Sequence, residues 1–442
     1  MPEQKAWVVT VDMGYGHQRA AYPLRDLSPT GKVIIANNYQ GIPKHDHLVW
    51  KVSRKIYEAF SRTISIPLIG RQIFNFMDYF QKIQNFYPRR DLSKPTLQTK
   101  SQYSSIRAGW GRDLIDKLNQ EDIPLIATFF TIAFMAEEHE FKNDIYLVVT
   151  DTDISRVWAP LNPHQSRIKY LAPCRRVVER LKLYGVKPTN IFLSGFPLPE
   201  ENMGDGHLRL LKGDLVKRIS NLDPDGWYMR KYGGTMKQFL KDRTNTNHKD
   251  RPLTLTFAVG GAGAQRKLAH AILLSLKAKI LKQEIIFNLV SGTRSDVYRY
   301  FHEQITDHGM SKMLGKSVNI ISGTNKEDYF DNFNIVLRDT DILWTKPSEL
   351  VFYSALGLPI IMAPTVGSQE DYNKYWLTKI GGGIDQEDPH LTHEWLFDWV
   401  NSGWLAEAAM AGFLDGRQFG VENIKKIVFE GIKEPAKTYQ LL

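Results

Sequence analysis

The sequence predicts an α/β fold of two doubly wound, Rossmann-like domains facing each other across a cleft. Two observations predict it. Short runs rich in Val and Ile, bounded by Gly, Pro or Asp, alternate with longer mixed segments. Buried parallel strands and their crossover helices read this way. The alternation occurs twice, with a polar and charged stretch between the two series. Each series is long enough for one doubly wound sheet, and ligands of such sheets bind at the carboxyl ends of the strands.

The first series supplies Trp7–Val11, Val33–Ala36, Leu125–Phe130, Ile145–Thr150 and Ile191–Leu193. Residues 201–252 then lose their β-branched character and read as an inter-domain insertion, helical from Leu208 to Asn221. A long helical excursion inside one domain is nearly as good a reading. The second series places strands at Leu253–Val259, Ile285–Val290, Val318–Ile321, Ile342–Trp344 and Pro359–Met362, with a helix over Ala264–Leu281. Val421–Ile432 has helical spacing and is expected to return across the domain junction. The division is therefore 1–200, 201–252, 253–415 and a C-terminal helix within 416–442.

Residues 41–110 interrupt the first series. Here Lys51, Arg54, Lys55, Arg62, Arg71, Lys82, Arg89 and Arg90 recur beside Phe, Tyr and Trp. A helix with aromatic anchors and a basic polar face lies well at a lipid interface. Ordinary amphipathic packing is the alternative at even odds. Asp46, Glu58 and Asp78 dilute the charge and argue against a nucleic-acid face.

Composition sets outer limits. The chain has 442 residues, 43% of them hydrophobic, which suffices for two cores. Lys+Arg 57 against Asp+Glu 48 gives a net charge of +9, which suits a nucleic acid, an anionic membrane surface or a phosphorylated substrate without choosing among them. The single cysteine, Cys174, leaves no internal disulfide. The N-terminal residues lack the basic and apolar regions of a signal peptide. The longest uncharged apolar-rich run, Leu125 to Ala136, is shorter than the roughly 20 residues a bilayer span needs. A cytoplasmic protein, with any membrane association peripheral, is the expectation.

Four motifs carry chemistry. Asp12-Met13-Gly14-Tyr15-Gly16-His17 follows the first strand, where glycines let a ligand approach and an imidazole can act as a base. Helix initiation is the bland reading of that histidine. Thr150-Asp151-Thr152-Asp153 ends a buried strand in two carboxylates, with helix capping as the alternative. Gly260-Gly261-Ala262-Gly263 opens a helix and resembles a phosphate cradle, although its spacing matches neither the dinucleotide fingerprint nor the P-loop. The fourth motif runs Thr345-Lys346-Pro347-Ser348-Glu349, Ala355 to Ile361, and Gln369-Glu370-Asp371-Tyr372-Asn373. Ser348 can cap the helix that follows, and the last loop holds donors and acceptors suited to sugar hydroxyls.

In this order the four motifs resemble glycosyltransferase family 28. The diacylglycerol galactosyl- and glucosyltransferases (monogalactosyldiacylglycerol synthase and the processive glucosyltransferase) are nearest, and the peptidoglycan N-acetylglucosaminyltransferase is more distant. The resemblance covers most of residues 6–40 and 125–385. It implies a GT-B architecture with an N-terminal acceptor-binding domain and a C-terminal domain for a UDP-sugar. Gly260, Gly261 and Gly263 would hold the diphosphate, with Lys346, Ser348 and Glu349 beside them. Gln369, Glu370 and Asn373 would contact the sugar. His17 would deprotonate the acceptor hydroxyl, helped by Asp12 or Asp151, with Gly14 and Gly16 lining the acceptor side. The implied reaction transfers a hexose or N-acetylhexosamine with inversion. It uses no metal and no cofactor beyond the UDP-sugar co-substrate, Lys346 or Arg266 meeting the leaving-group charge. A membrane lipid is one acceptor the resemblance offers; nucleic acid is not an expected partner.

The chain departs from the family pattern in places. Tyr15 stands where the family has a glycine, and Pro347-Ser348 displace the glycine after the Thr-Lys pair. The ribose-binding glutamate falls at Ser354, with Glu349 five residues earlier as a stand-in, and a family histidine falls near Arg156. A hydrolysing UDP-sugar 2-epimerase on the same architecture is the nearest rival. A non-catalytic descendant that binds a nucleotide or lipid is the rival from another class.

Overall fold

The computed structural model of the chain describes residues 4–52, 83–240, 251–258, 260, 265–365 and 367–432. It divides into two compact units. One joins residues 1–198 with 366–373 and 417–442; the other joins 199–365 with 374–416.

The first unit is built on a six-stranded sheet in the order β2-β1-β3-β4-β5-β6. Its strands are β1 (Trp7–Thr10), β2 (Ile34–Ile35), β3 (Leu125–Ala127), β4 (Ile145–Val148), β5 (Lys169–Ala172) and β6 (Ile191–Leu193). Every pairing is parallel. β1, β3 and β4 are buried along their whole length, as strands covered on both faces must be. Unbroken apolar runs are the consequence.

The second unit repeats the plan with the order β9-β8-β7-β10-β11-β12. Its strands are β7 (Leu253–Ala258), β8 (Ile285–Gly292), β9 (Val318–Ser322), β10 (Ile342–Thr345), β11 (Ile360–Met362) and β12 (Gly383–Asp385). These pairings are all parallel too. Both units are therefore doubly wound and Rossmann-like. In the first the strand order reverses between β1 and β3, and in the second between β7 and β10. Crossovers leave in opposite directions at such a point, which opens a crevice at the carboxyl ends of the two strands.

Two strands escaped the reading of the sequence. β5 begins at a lysine, and β12 is three residues long beside two glycines. The run at Val33–Ala36 shortens to the two residues of β2.

The polar stretch after residue 200 forms the helices Arg209–Leu222 and Trp227–Leu240, both counted with the second unit. Arg218 fastens the first of them. It is fully buried and donates to the carbonyls of Thr340, Leu356, Gly357 and Leu337 at 2.7, 3.0, 3.1 and 3.3 Å. Those carbonyls end the helix Lys326–Asp339 and the 3-10 helix Glu349–Leu356, where acceptors are left over and a cation is favoured. Burial still pushes the Arg218 guanidinium down to about 10.

The helix Gly420–Glu430 belongs to the first unit. A Cβ at Gly420 would lie 2.0 Å from the Phe196 carbonyl oxygen, and Asn423 donates to the Ser194 carbonyl at 2.8 Å. Much of the basic aromatic insertion, including Arg54, Lys55, Arg62, Arg71 and Lys82, lies outside the described residues. Within them, Trp50 is buried against Trp110 at 4.8 Å, and Asp46 accepts from the Gly111 N–H at 3.1 Å. Trp50 and Asp46 anchor this segment in the core, while Leu48, Val52 and Tyr87 stand exposed.

Removing Arg218 would leave several buried carbonyls without a donor, at about 1–3 kcal/mol for each group left unsatisfied. The R218A variant is expected to lose about 3 kcal/mol or more in chemical denaturation. A loss below about 1 kcal/mol would show that the helix Arg209–Leu222 is held by other contacts.

Candidate active site

His17 is the second residue of the short helix Gly16–Ala21, which follows β1. Its Nδ1 lies 2.8 Å from the backbone oxygen of Thr128, one residue past β3. The imidazole thus spans the β1/β3 switch point. A carbonyl oxygen can only accept, so Nδ1 carries the proton and Nε2 is the basic nitrogen. Thr150 Oγ1 stands 3.5 Å from the same Nδ1. Phe129 packs edge-on against the ring at 4.8 Å, and Trp158 lies at 6.1 Å. Phe130 extends this wall, 4.5 Å from Phe129 and 5.2 Å from Trp158.

The turn before His17 is tied to its own strand. The Asp12 N–H donates to Asn37 Oδ1 at 2.8 Å, and Asn37 returns a bond to the Asp12 carbonyl at 3.2 Å. Gln18 donates to the Val11 carbonyl at 3.1 Å and to the Asp12 carboxylate at 3.4 Å. Gly14 is exposed with φ +92°, and a Cβ there would meet nothing within 4 Å. Backbone conformation requires glycine at this position, and the space beside it is open. Tyr15, in place of a second glycine, stands at the helix N-cap, and Gly16 is the first helical residue.

The two carboxylates beyond β4 have different fates. Asp153 is buried and locked. Arg180 donates to it at 2.7 and 2.9 Å, Arg176 at 2.7 Å and the Ile154 N–H at 2.9 Å. Arg176 in turn stacks on Phe86 at 3.8 Å. Asp151 is half-buried and accepts from Asn373 Nδ2 at 3.0 Å. Asn373 is fully buried, and its Oδ1 accepts from the Thr152 N–H and hydroxyl at 2.8 and 2.9 Å.

Asn373, expected at the sugar, therefore acts here as a strut beneath the β4 loop. Residues 366–373 as a whole are counted with the first unit, which puts Gln369 and Glu370 in the same unit as His17, Asp12 and Asp151. Both are half-buried in the first turn of the helix Ser368–Lys379.

In the second unit, Gly260 and Lys346 meet at the β7/β10 switch point. Gly260 has φ +76°, and a Cβ there would lie 3.2 Å from Lys346 Cε. The absence of a side chain lets the lysine stem lie close to this residue. Gly261 and Gly263 lie outside the described residues. Thr345 donates to the Ala258 carbonyl at 3.3 Å, joining the ends of β10 and β7, and Gln265, at the N-cap of the helix Arg266–Leu281, donates to the Pro364 carbonyl beyond β11 at 3.3 Å. Arg266 stacks over Tyr300 at 5.2 Å and pairs with Asp296 at 3.8 Å.

Ser348 occupies the N-cap position of Glu349–Leu356, but its hydroxyl makes no capping bond, and the element is a 3-10 helix. Glu349, half-buried, begins it. Ser354 is fully enclosed; a Cβ on Gly412 would stand 2.6 Å from its carbonyl oxygen and one on Gly382 3.2 Å from its Cβ. A larger acidic side chain has no room there.

Reading the sequence missed the aromatic wall, the Thr128 carbonyl and the paired arginines. The Phe129-Phe130 pair directly after a strand was visible as a signal. The carbonyl was not, because any residue type supplies one.

A family model described as a domain of unknown function (DUF6938) matches residues 234–398. The chain is 21% identical over 392 residues to the processive diacylglycerol beta-glucosyltransferase of Bacillus pumilus (strain SAFR-032), covering 86% of this chain and 82% of the relative. Among solved structures it is similar to the UDP-GlcNAc 2-epimerase of Neisseria meningitidis, with 11% identity, 96% and 98% of the two chains covered and a TM-score of 0.46. It is also similar to MurG of Acinetobacter baumannii, with 11% identity, 96% and 99% covered and a TM-score of 0.42. The chain thus resembles a family 28 glycosyltransferase in sequence over most of its length, and its sheets are two Rossmann-like units. Among the described residues, no helix is long and apolar enough to cross a membrane.

The two aspartates make a matched test. D153A strands two arginines, one of them fully buried, and removing one partner of a buried ion pair costs about 3–5 kcal/mol. D151N keeps the shape of a half-buried group and is expected to stay within about 1 kcal/mol of the parent in urea unfolding. Equal losses for both variants would contradict this division of roles.

Proposed function

We propose that the chain is an inverting glycosyltransferase that moves a hexose or N-acetylhexosamine from a UDP-sugar to a hydroxyl acceptor, with His17 as the general base. The observation that carries the proposal is the hydrogen bond from His17 Nδ1 to the Thr128 carbonyl at the β1/β3 switch point. It sets the tautomer that a base needs and orients the ring at the carboxyl ends of the strands.

In this reading the acceptor hydroxyl gives its proton to His17 Nε2 as its oxygen attacks the anomeric carbon. The bond to the diphosphate breaks on the opposite face, which inverts the configuration. Asp151 and Asp12 place negative potential near the imidazolium that forms. The Gly260 turn and Lys346 receive the diphosphate, the lysine meeting its growing charge without a metal. Gln369 and Glu370 offer donors and acceptors to the sugar hydroxyls.

The name of the B. pumilus relative supports a diacylglycerol-type acceptor. Half-exposed Phe129 and Phe130, beside the base, suit an acceptor with an apolar body. The chain then works as a peripheral enzyme at a membrane surface.

A positioned general base contributes roughly 10²–10⁴-fold to rate. The H17A variant is expected to lose at least 10²-fold in kcat for sugar transfer to diacylglycerol while binding UDP within twofold of the parent in calorimetry. Unchanged turnover would remove His17 from the mechanism. Release of free sugar from the donor at equal rates with and without acceptor would favour hydrolytic chemistry instead.

A further inference from the structure

Asn373 belongs to the stretch whose polar groups were expected at the donor sugar, yet its carboxamide is fully buried and committed elsewhere. Its Oδ1 takes two bonds from Thr152, at 2.8 Å from the N–H and 2.9 Å from the hydroxyl. Its Nδ2 gives one to Asp151 Oδ1 at 3.0 Å. A primary amide is the side chain that can accept twice and donate in one plane. Neither aspartate nor leucine, its near-isosteres, could do both.

The placement has a second feature. Gln369 and Glu370 precede Asn373 by four and three residues on the helix Ser368–Lys379, so all three share a face. Fixing Asn373 on the β4 loop fixes the rotation of that face. One residue earlier in the chain, Tyr372 lies beneath the Arg176 guanidinium at 6.0 Å and donates to the Ile83 carbonyl at 3.4 Å.

We infer that Asn373 is a positioning residue: it orients the Asp151 carboxylate and sets the register of Gln369 and Glu370 against it, without itself contacting substrate. The inference rests on the glycosyltransferase reading of the site. It makes Asn373 the link between the carboxylate that assists the base and the side chains that hold the sugar.

The test uses the full chain and compares kcat, KM for the UDP-sugar and Kd for UDP in the parent, N373A, D151N and the double variant. The size-matched N373D is a second probe that keeps the packed volume but turns the donor to Asp151 into a like charge. N373A and N373D are each expected to lower kcat at least tenfold, with Kd for UDP within twofold, because the diphosphate cradle is built from other residues. The double variant is expected to be slower than D151N alone, but by less than the product of the two single losses, since part of the amide's effect passes through that carboxylate. Losses in N373A and D151N that simply multiply would overturn the inference, as would kcat within twofold of the parent in N373A. A parent protein without sugar transfer, by contrast, would refute the underlying enzyme reading, so the two failures are distinct. If N373A does not fold, kcat in N373D decides, read with its melting temperature.

Discussion

Everything in the candidate site depends on where the strand order of a parallel sheet reverses. Parallel strands bring all their carboxyl ends to one edge, and the reversal leaves a crevice there that no crossover covers. The first unit reverses between β1 and β3, and the second between β7 and β10. The Asp12–His17 turn issues from β1 and Thr128 from β3; the Gly260 turn issues from β7 and Lys346 from β10. In each unit, residues far apart in the chain meet because two strands are hydrogen-bonded neighbours. The bond from His17 to the Thr128 carbonyl, across 111 residues of sequence, is the direct product of that constraint.

Within the first unit, neighbouring charges of one type are separated in function by their partners. Asp153 and Asp151 stand two residues apart on one loop. Asp153 is enclosed by two guanidiniums and serves the fold, one of the arginines lying on an aromatic ring. Asp151 is half-exposed and joined to an amide, which defines its direction. Burial and pairing, more than residue type, decide which carboxylate is locked and which stays reachable from solvent. Arg218 obeys the same rule in the second unit, where helix-end carbonyls compensate a fully buried cation.

The strands were legible in the sequence because both faces of a parallel sheet are buried, which writes each strand as an unbroken apolar run. β1, β4 and β10 show this best. β5 and β12 escaped, one opening on a lysine and the other too short to show a pattern. The turn at Gly14 was also legible, since glycines at a strand end carry chemical meaning alone; the approach of Lys346 to Gly260 was not, because it depends on β7 and β10 being neighbours. The burial of Asn373 was not, because an amide reads the same whether it faces a sugar or a backbone loop. Nor was the closure around Ser354, which depends on Gly382 and Gly412 pressing against it from later in the chain.

Calorimetric titration with UDP, TDP, GDP and ADP tests the proposed nucleotide diphosphate site most directly. Saturable binding with a clear preference for UDP is the expected result. Failure of all four to bind would contradict it, and would mean that two Rossmann-like units and a resemblance in sequence have been retained without the nucleotide-sugar chemistry.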